Sequence, residues 1–114
     1  MKSTTTALLI LLLAVSFTFA KSNDDKVVKV KTSAICEMCK ERLERNVGLA
    51  KGVKEATLDL DTKVMTVTYN GKKTDATAIK SVIIKTGYDA DAQEGDQKAH
   101  DKLPKCCRKT AAPH

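Results

Sequence analysis

The sequence predicts an α+β fold in which two helices lie on one face of an antiparallel sheet. Several short runs alternate apolar and polar residues, as strands with one buried face do. Two other segments repeat apolar residues every three or four positions, which is typical of amphipathic helices. The order is strand, helix, strand, strand, helix, strand. This βαββαβ order predicts a ferredoxin-like sandwich.

The first strand is predicted at residues 26–32, where Val28 and Val30 share one face. A helix follows it. Its apolar positions, separated by steps of three and four, form one stripe: Cys36, Cys39, Leu43, Val47 and Ala50. Gly52 is expected to end this helix, because glycine readily adopts the left-handed backbone angles of a helix terminus. The stripe therefore predicts that both cysteines lie at the tip of the core-facing side.

The next two strands are predicted as a hairpin. Its inward-facing residues are Ala56, Leu58 and Leu60 on one strand and Met65, Val67 and Tyr69 on the other. Thr74 or Asp75 is expected to cap the second helix. The apolar positions of that helix are Ile79, Val82 and Ile83. Gly87 is expected to end it, and Tyr88 to Asp91 are predicted to form a short fourth strand.

Residues 1–20 are predicted to be a cleaved signal peptide. Lys2 supplies its positive charge, Ala7 to Val15 form its apolar segment, and Thr18-Phe19-Ala20 resemble a cleavage site. The alternative is a membrane anchor, but the apolar segment is shorter than the ~20 residues that span a bilayer. We therefore expect a periplasmic or secreted protein that is not attached to a membrane after cleavage.

The remaining residues are enough for one small domain. We place this domain at residues 21–92, followed by a polar extension at residues 93–114 that begins as a short helix or linker and is disordered beyond Lys109. The whole chain carries a net charge of +6, but its basic residues are interleaved with acidic ones, and it has no Trp. This composition is typical of a solvated surface and argues against nucleic-acid binding.

The segment Cys36-Glu37-Met38-Cys39 lies where the first strand gives way to the first helix. Unpaired N–H groups at a helix start favour negative charge and therefore thiolates. Thiolates bind soft metals and attack disulfides. A lone CxxC motif nevertheless occurs in zinc sites, redox enzymes and metal carriers alike.

Together with the βαββαβ order, this motif resembles the heavy-metal-associated domain family, which includes copper chaperones and periplasmic mercury-binding proteins. The resemblance covers roughly residues 26–92 and also rests on Gly52-Val53 and on Gly87-Tyr88-Asp89-Ala90. It implies that the two cysteines hold one soft ion on an exposed loop, with Tyr88 close by. Family members often carry Met two residues before the first cysteine, where this chain has Ala34. That difference affects the rigidity of the loop and its metal preference.

Two thiolates suit ions with low coordination numbers, Cu(I) first and then Hg(II) or Ag(I). Zn(II) is a further alternative, although structural Zn(II) normally takes four ligands. Lys40, Arg42 and Lys85 are candidates for offsetting the negative charge of the complex; each is otherwise an ordinary exposed residue. Tyr88 either shields the loop or packs in the core. Met38 is either an extra thioether ligand or an exposed, uninvolved side chain.

Cys106 and Cys107 in the extension allow three interpretations. The extension folds back and adds sulfur ligands to the CxxC pair, or one of its thiols forms a protective disulfide with that pair, or the two act alone as a flexible thiol pair. A bond between the adjacent cysteines is disfavoured by strain. His100 and His114 are candidates for a metal site in the extension, or are simply solvated.

We therefore expect an exported protein that sequesters or shuttles Cu(I) or a similar ion without catalysis, with a membrane metal transporter or another thiol protein as its partner. The alternative is a thiol–disulfide oxidoreductase that uses the same CxxC motif. Thioredoxin-like sites usually have Trp before the motif, Pro within it and a cis-Pro opposite, but this chain has no Trp, and its two prolines are Pro104 and Pro113. A third hypothesis is a metal-independent interaction module that uses the open face of the sheet.

Overall fold

The computed structural model describes residues 24–109. The predicted signal peptide at residues 1–20, the predicted disorder beyond Lys109 and His114 all lie outside this range. Between residues 24 and 109, every helix is too short or too polar to cross a membrane.

The described elements follow the predicted order up to the second helix. They are β1 (Asp25–Lys31), α1 (Glu37–Gly48), β2 (Val53–Asp59), β3 (Val64–Asn70), α2 (Ala76–Thr86), α3 (Gln97–Lys102) and a 3₁₀ turn (Lys105–Cys107). The prediction of an α+β fold with an antiparallel sheet is confirmed. The polar stretch that begins at residue 93 contains the short helix α3.

The sheet is antiparallel, and β3 lies between β1 and β2. Burial alternates strictly along β3, where Met65, Val67 and Tyr69 are buried and the residues between them are partly exposed. Met65 pairs with Val30 of β1 and with Leu58 of β2, which are buried as well. One face of the sheet therefore carries the core, as the period of two predicted.

The predicted fourth strand is reduced to isolated bridges. Ala90 bridges to Thr32 just beyond β1 and to Gln93. Asp91 adopts a positive φ of 52°, which turns the chain away from the sheet, since strand residues need negative φ. Its backbone N–H donates to the Lys31 carbonyl at 2.8 Å, and its carboxylate accepts from the Lys31 N–H at 2.9 Å. The segment is thus fixed to the end of β1 without continuing as a strand.

The two longer helices complete the core. Helix α1 lies against β2, and α2 lies against α1. Their buried residues, which join the buried sheet residues in one cluster, are Cys39, Leu43 and Val47 on α1 and Ile79 and Ile83 on α2. The Asp75 carboxylate caps α2 by accepting from the Ala78 N–H at 2.8 Å. Gly87 ends α2 in the left-handed conformation, as predicted.

Two glycines let the C-terminal extension pass directly over the end of α2. A Cβ atom at Gly95 would lie 2.8 Å from backbone atoms of Gly87 and Tyr88, and one at Gly87 would lie 2.8 Å from the His100 nitrogen. The Asp96 N–H donates to the Ile84 carbonyl at 2.9 Å across this crossing. Leu103 is buried in the core beyond it. The crossing therefore carries the 3₁₀ turn back to the N-terminal end of α1.

Candidate metal centre

The CxxC cysteines meet at the start of α1. Cys36 is the N-cap residue, with extended backbone, and Cys39 lies in the first helical turn. Their Sγ atoms are 3.5 Å apart, well beyond the ~2.05 Å of a disulfide. All four cysteines in residues 24–109 are free thiols. Strand and helix thus direct two soft donors at one point, which is the arrangement that the spacing predicted.

The C-terminal extension adds two more thiols to this pair. The Cys107 Sγ lies 3.7 Å from the Cys36 Sγ, and the Cys106 Sγ lies 3.8 Å from the Cys107 Sγ. The Cys36 thiol also donates to the Cys106 carbonyl at 3.8 Å. In the structure the extension folds back, so that its two cysteines lie beside the CxxC pair.

This enclosure differs from the exposed loop that the family resemblance implied. Cys36 is 5% exposed, Cys39 is 0% exposed and Cys107 is 1% exposed. The 3₁₀ turn brings Cys106 and Cys107 against the pair and separates it from solvent. Both cysteines of the CxxC pair are therefore buried while the extension lies against Cys36.

Arg42 and Tyr88 form the polar part of the cluster. Arg42 Nη1 donates to the Tyr88 hydroxyl at 2.9 Å and to the Cys107 Sγ at 3.4 Å. Tyr88 is completely buried. Arg42 follows Cys39 by three positions and so lies on the same side of α1. That spacing was the available sequence indication for Arg42, but its contact with a cysteine 65 positions away was not visible in any local pattern.

The thiols differ in how readily they ionise. Burial opposes ionisation of Cys39, but hydrogen bonds from the Tyr88 hydroxyl and from the Ile35 backbone overcome it and lower the pKa of Cys39 from 9.0 to about 7. Burial raises the pKa of Cys36 and, despite the hydrogen bond from Arg42, that of Cys107. Burial likewise raises the pKa of the Tyr88 hydroxyl, which stays protonated and able to donate. Cys39 is thus the first of these thiols to ionise.

The two lysines predicted at the site, Lys40 and Lys85, lie beside Glu44 and Leu49, respectively. The Lys40 ammonium forms an ion pair with the Glu44 carboxylate at 2.6 Å. Lys85 lines a surface depression beside Leu49 at the far end of α1. Leu49 follows Cys39 by ten residues, which is about 15 Å along a helix. The structure thus brings Arg42 to the sulfur atoms, but not Lys85.

Of the remaining candidate donors, Met38 lies near the site, whereas one ring nitrogen of His100 already accepts a hydrogen bond. The Met38 Sδ lies 3.7 Å from the Cys106 Sγ, although Met38 is 48% exposed. His100 Nε2 accepts a hydrogen bond from the Lys109 N–H at 3.0 Å, which occupies that nitrogen. Within residues 24–109, one group of three or more potential His, Cys, Asp or Glu ligands has all its donor atoms within 4.8 Å of one another: Cys36, Cys106 and Cys107. Sulfur donors of this kind fit a soft ion.

The family match covers most of the predicted domain but not the extension. The sequence of residues 26–89 matches the protein family of the heavy-metal-associated domain. The copper-exporting P-type ATPase of Staphylococcus haemolyticus is 34% identical over 73 residues, which make up 64% of this chain and 9% of that protein. The corresponding ATPase of Staphylococcus saprophyticus is 38% identical over 55 residues, or 48% of this chain and 7% of that protein. The chain thus spans less than a tenth of the length of these relatives.

Solved structures agree with this match. The water-soluble region of the P-type ATPase CopA from Bacillus subtilis is 30% identical, with a TM-score of 0.55, and the likeness covers 58% of this chain and 44% of that one. Oxidized MerP from Ralstonia metallidurans shares the fold at 18% identity, with a TM-score of 0.56, over 58% of this chain and 93% of that one. The family match ends at residue 89, so Cys106 and Cys107 lie outside it.

Proposed function

This chain belongs to the heavy-metal-associated domain family, and on that premise we propose that it binds one soft metal ion through the thiolates of Cys36 and Cys39. The observation that carries the proposal is the 3.5 Å separation of these two sulfur atoms at the start of α1. The positive end of the helix dipole favours the thiolate forms there. With its pKa at about 7, Cys39 is about half ionised at neutral pH.

Cu(I) is the ion that we propose first, with Hg(II), Ag(I) and Zn(II) as alternatives. Two thiolates satisfy an ion of low coordination number, whereas a structural zinc site takes four ligands. The two Staphylococcus relatives support copper, since both are named copper-exporting ATPases. The ion is cargo that the protein sequesters or hands on, and the protein itself performs no catalysis.

We also propose a place of action, from the predicted signal peptide, and a partner, from the metal-binding function. The segment at residues 1–20 directs the chain out of the cytoplasm, so that the protein acts in the periplasm or is secreted. A membrane metal transporter or another thiol protein receives or supplies the ion. Transfer between thiol proteins suits such a site, because an incoming thiolate can join the ion before an existing one leaves.

The pKa shifts and the burial of the two CxxC thiols favour metal binding over the oxidoreductase alternative. An attacking cysteine must be both ionised and accessible. Here the lowered pKa belongs to Cys39, which is 0% exposed, while burial raises the pKa of Cys36. We therefore expect no significant reduction of insulin disulfides in the presence of dithiothreitol, and strong turnover would favour the enzyme instead.

Titration with Cu(I) against a competing chelator tests the proposal. Two matched double variants each remove two thiols: Cys36→Ser with Cys39→Ser, and Cys106→Ser with Cys107→Ser. The reduced wild-type protein and the second variant are expected to bind about one equivalent tightly, and the first variant is expected to lose tight binding. Undiminished binding by the first variant, or no tight binding by the wild type, would overturn the proposal.

A further inference from the structure

We propose that the C-terminal extension completes a three-sulfur site, in which Cys36, Cys106 and Cys107 hold the ion together while the extension is docked. The proposal rests on the metal-binding function above and adds a ligand set that lies partly beyond the family match, which ends at residue 89. Cys36 belongs to both arrangements. The ion can therefore move between the CxxC pair and the three-sulfur site without leaving Cys36.

The sulfur separations support three-fold coordination. With metal–sulfur bonds of about 2.3 Å, the sulfur atoms of a planar three-coordinate site lie about 4.0 Å apart, and those of a linear site lie about 4.6 Å apart. The Cys36–Cys107 and Cys106–Cys107 separations are 3.7 and 3.8 Å, and all three pairs lie within 4.8 Å. The extension thus needs little rearrangement to close around an ion.

Arg42 supplies the charge that such a site needs. Each thiol releases one proton to water as it binds, so that three thiolates on Cu(I) leave two negative charges. Arg42 Nη1 lies 3.4 Å from the Cys107 Sγ and offsets one of them. Because the Tyr88 hydroxyl holds the same nitrogen at 2.9 Å, the guanidinium is already in position before the ion arrives.

The extension is also built to hold its thiols in place. The close crossing at Gly87 and Gly95 leaves no room for side chains between the extension and α2, and buried Leu103 anchors the chain after the crossing. Arg108 Nε donates to the Leu103 carbonyl at 3.1 Å, which ties the far end of the 3₁₀ turn back to this anchor. A docked extension would therefore slow the release of the ion.

X-ray absorption on the Cu(I) form under reductant tests the ligand set by counting sulfur neighbours. The wild type is expected to show three sulfurs and the Cys106→Ser, Cys107→Ser variant two. Cys39→Ser removes a ligand of the CxxC pair and is expected to weaken binding, but the ion that it still holds keeps the three sulfurs of Cys36, Cys106 and Cys107. A chelator should remove Cu(I) at least about tenfold faster from the tail variant than from the wild type, since even outer-shell changes alter metal affinity by 10–100-fold.

Three results would overturn the ligand set: two sulfurs in the wild type, three in the tail variant, or two in Cys39→Ser. Circular dichroism of each metal-free variant shows whether the domain still folds, and the sulfur count is taken only on the bound ion, so a loss of affinity does not obscure it. If the wild type binds Cu(I) tightly with two sulfurs, the three-sulfur site fails while the proposed function stands. If the wild type does not bind Cu(I), the proposed function itself fails.

Discussion

Replacing Tyr88 with Phe should raise the pKa of Cys39, because it removes the hydroxyl that contributes most to stabilising the thiolate. Burial opposes ionisation at this position, and the hydrogen bond from Tyr88 is the largest effect that lowers the pKa of Cys39 to about 7. A hydrogen bond to a charged group contributes about 1.5–3 kcal/mol. At 1.36 kcal/mol for each pH unit, the pKa of Cys39 should rise by about 1 to 2.

The thiolate fraction of Cys39 at pH 7 should then fall from about one half to about one tenth or less. The carbon-13 resonance of the Cys39 Cβ, followed against pH in reduced, metal-free protein, reports this ionisation without needing reagent access to the buried sulfur. Tyr69→Phe is the matched control, since it removes the hydroxyl of the other tyrosine, which lies in β3. An unchanged midpoint in Tyr88→Phe, or an equal shift in Tyr69→Phe, would show that the hydroxyl of Tyr88 does not stabilise the thiolate.

Two further predictions concern the extension and the core. Gly95→Ala should undock the extension, because its Cβ would lie 2.8 Å from backbone atoms of Gly87 and Tyr88, and such overpacking costs about 1–3 kcal/mol. Alkylation of Cys107 by iodoacetamide should then speed up several-fold or more. An unchanged rate would contradict the docking. Glu44→Ala should lower the urea stability of the reduced protein by about 1–2 kcal/mol, because the carboxylate accepts the Leu58 N–H at 2.8 Å. Glu44→Gln keeps an acceptor and should lose less, so equal losses in the two variants would argue against this hydrogen bond.

Local patterns were sufficient to predict most of the fold. Alternation along β3 and the stripe on α1 predicted which residues are buried, because the periods of strands and helices fix which side chains share a face. The last strand is where this reasoning was least successful. Tyr88 to Asp91 have the composition of a strand, but the positive φ of Asp91 and its hydrogen bonds to Lys31 depend on contacts across 60 positions.

For the candidate site, too, the sequence determined one part and the tertiary structure another. The sequence by itself determined that two thiols meet at the start of a helix, since CxxC spacing and the strand-to-helix change act over a few residues. Only the tertiary structure decided what surrounds them: Cys36 meets Cys107 across 71 positions, and Arg42 meets Tyr88 across 46. The contact of Cys107 with Cys36 depends on a backbone crossing at Gly87 and Gly95. A crossing between main chains carries no hydrophobic period, so nothing local in the sequence could reveal it.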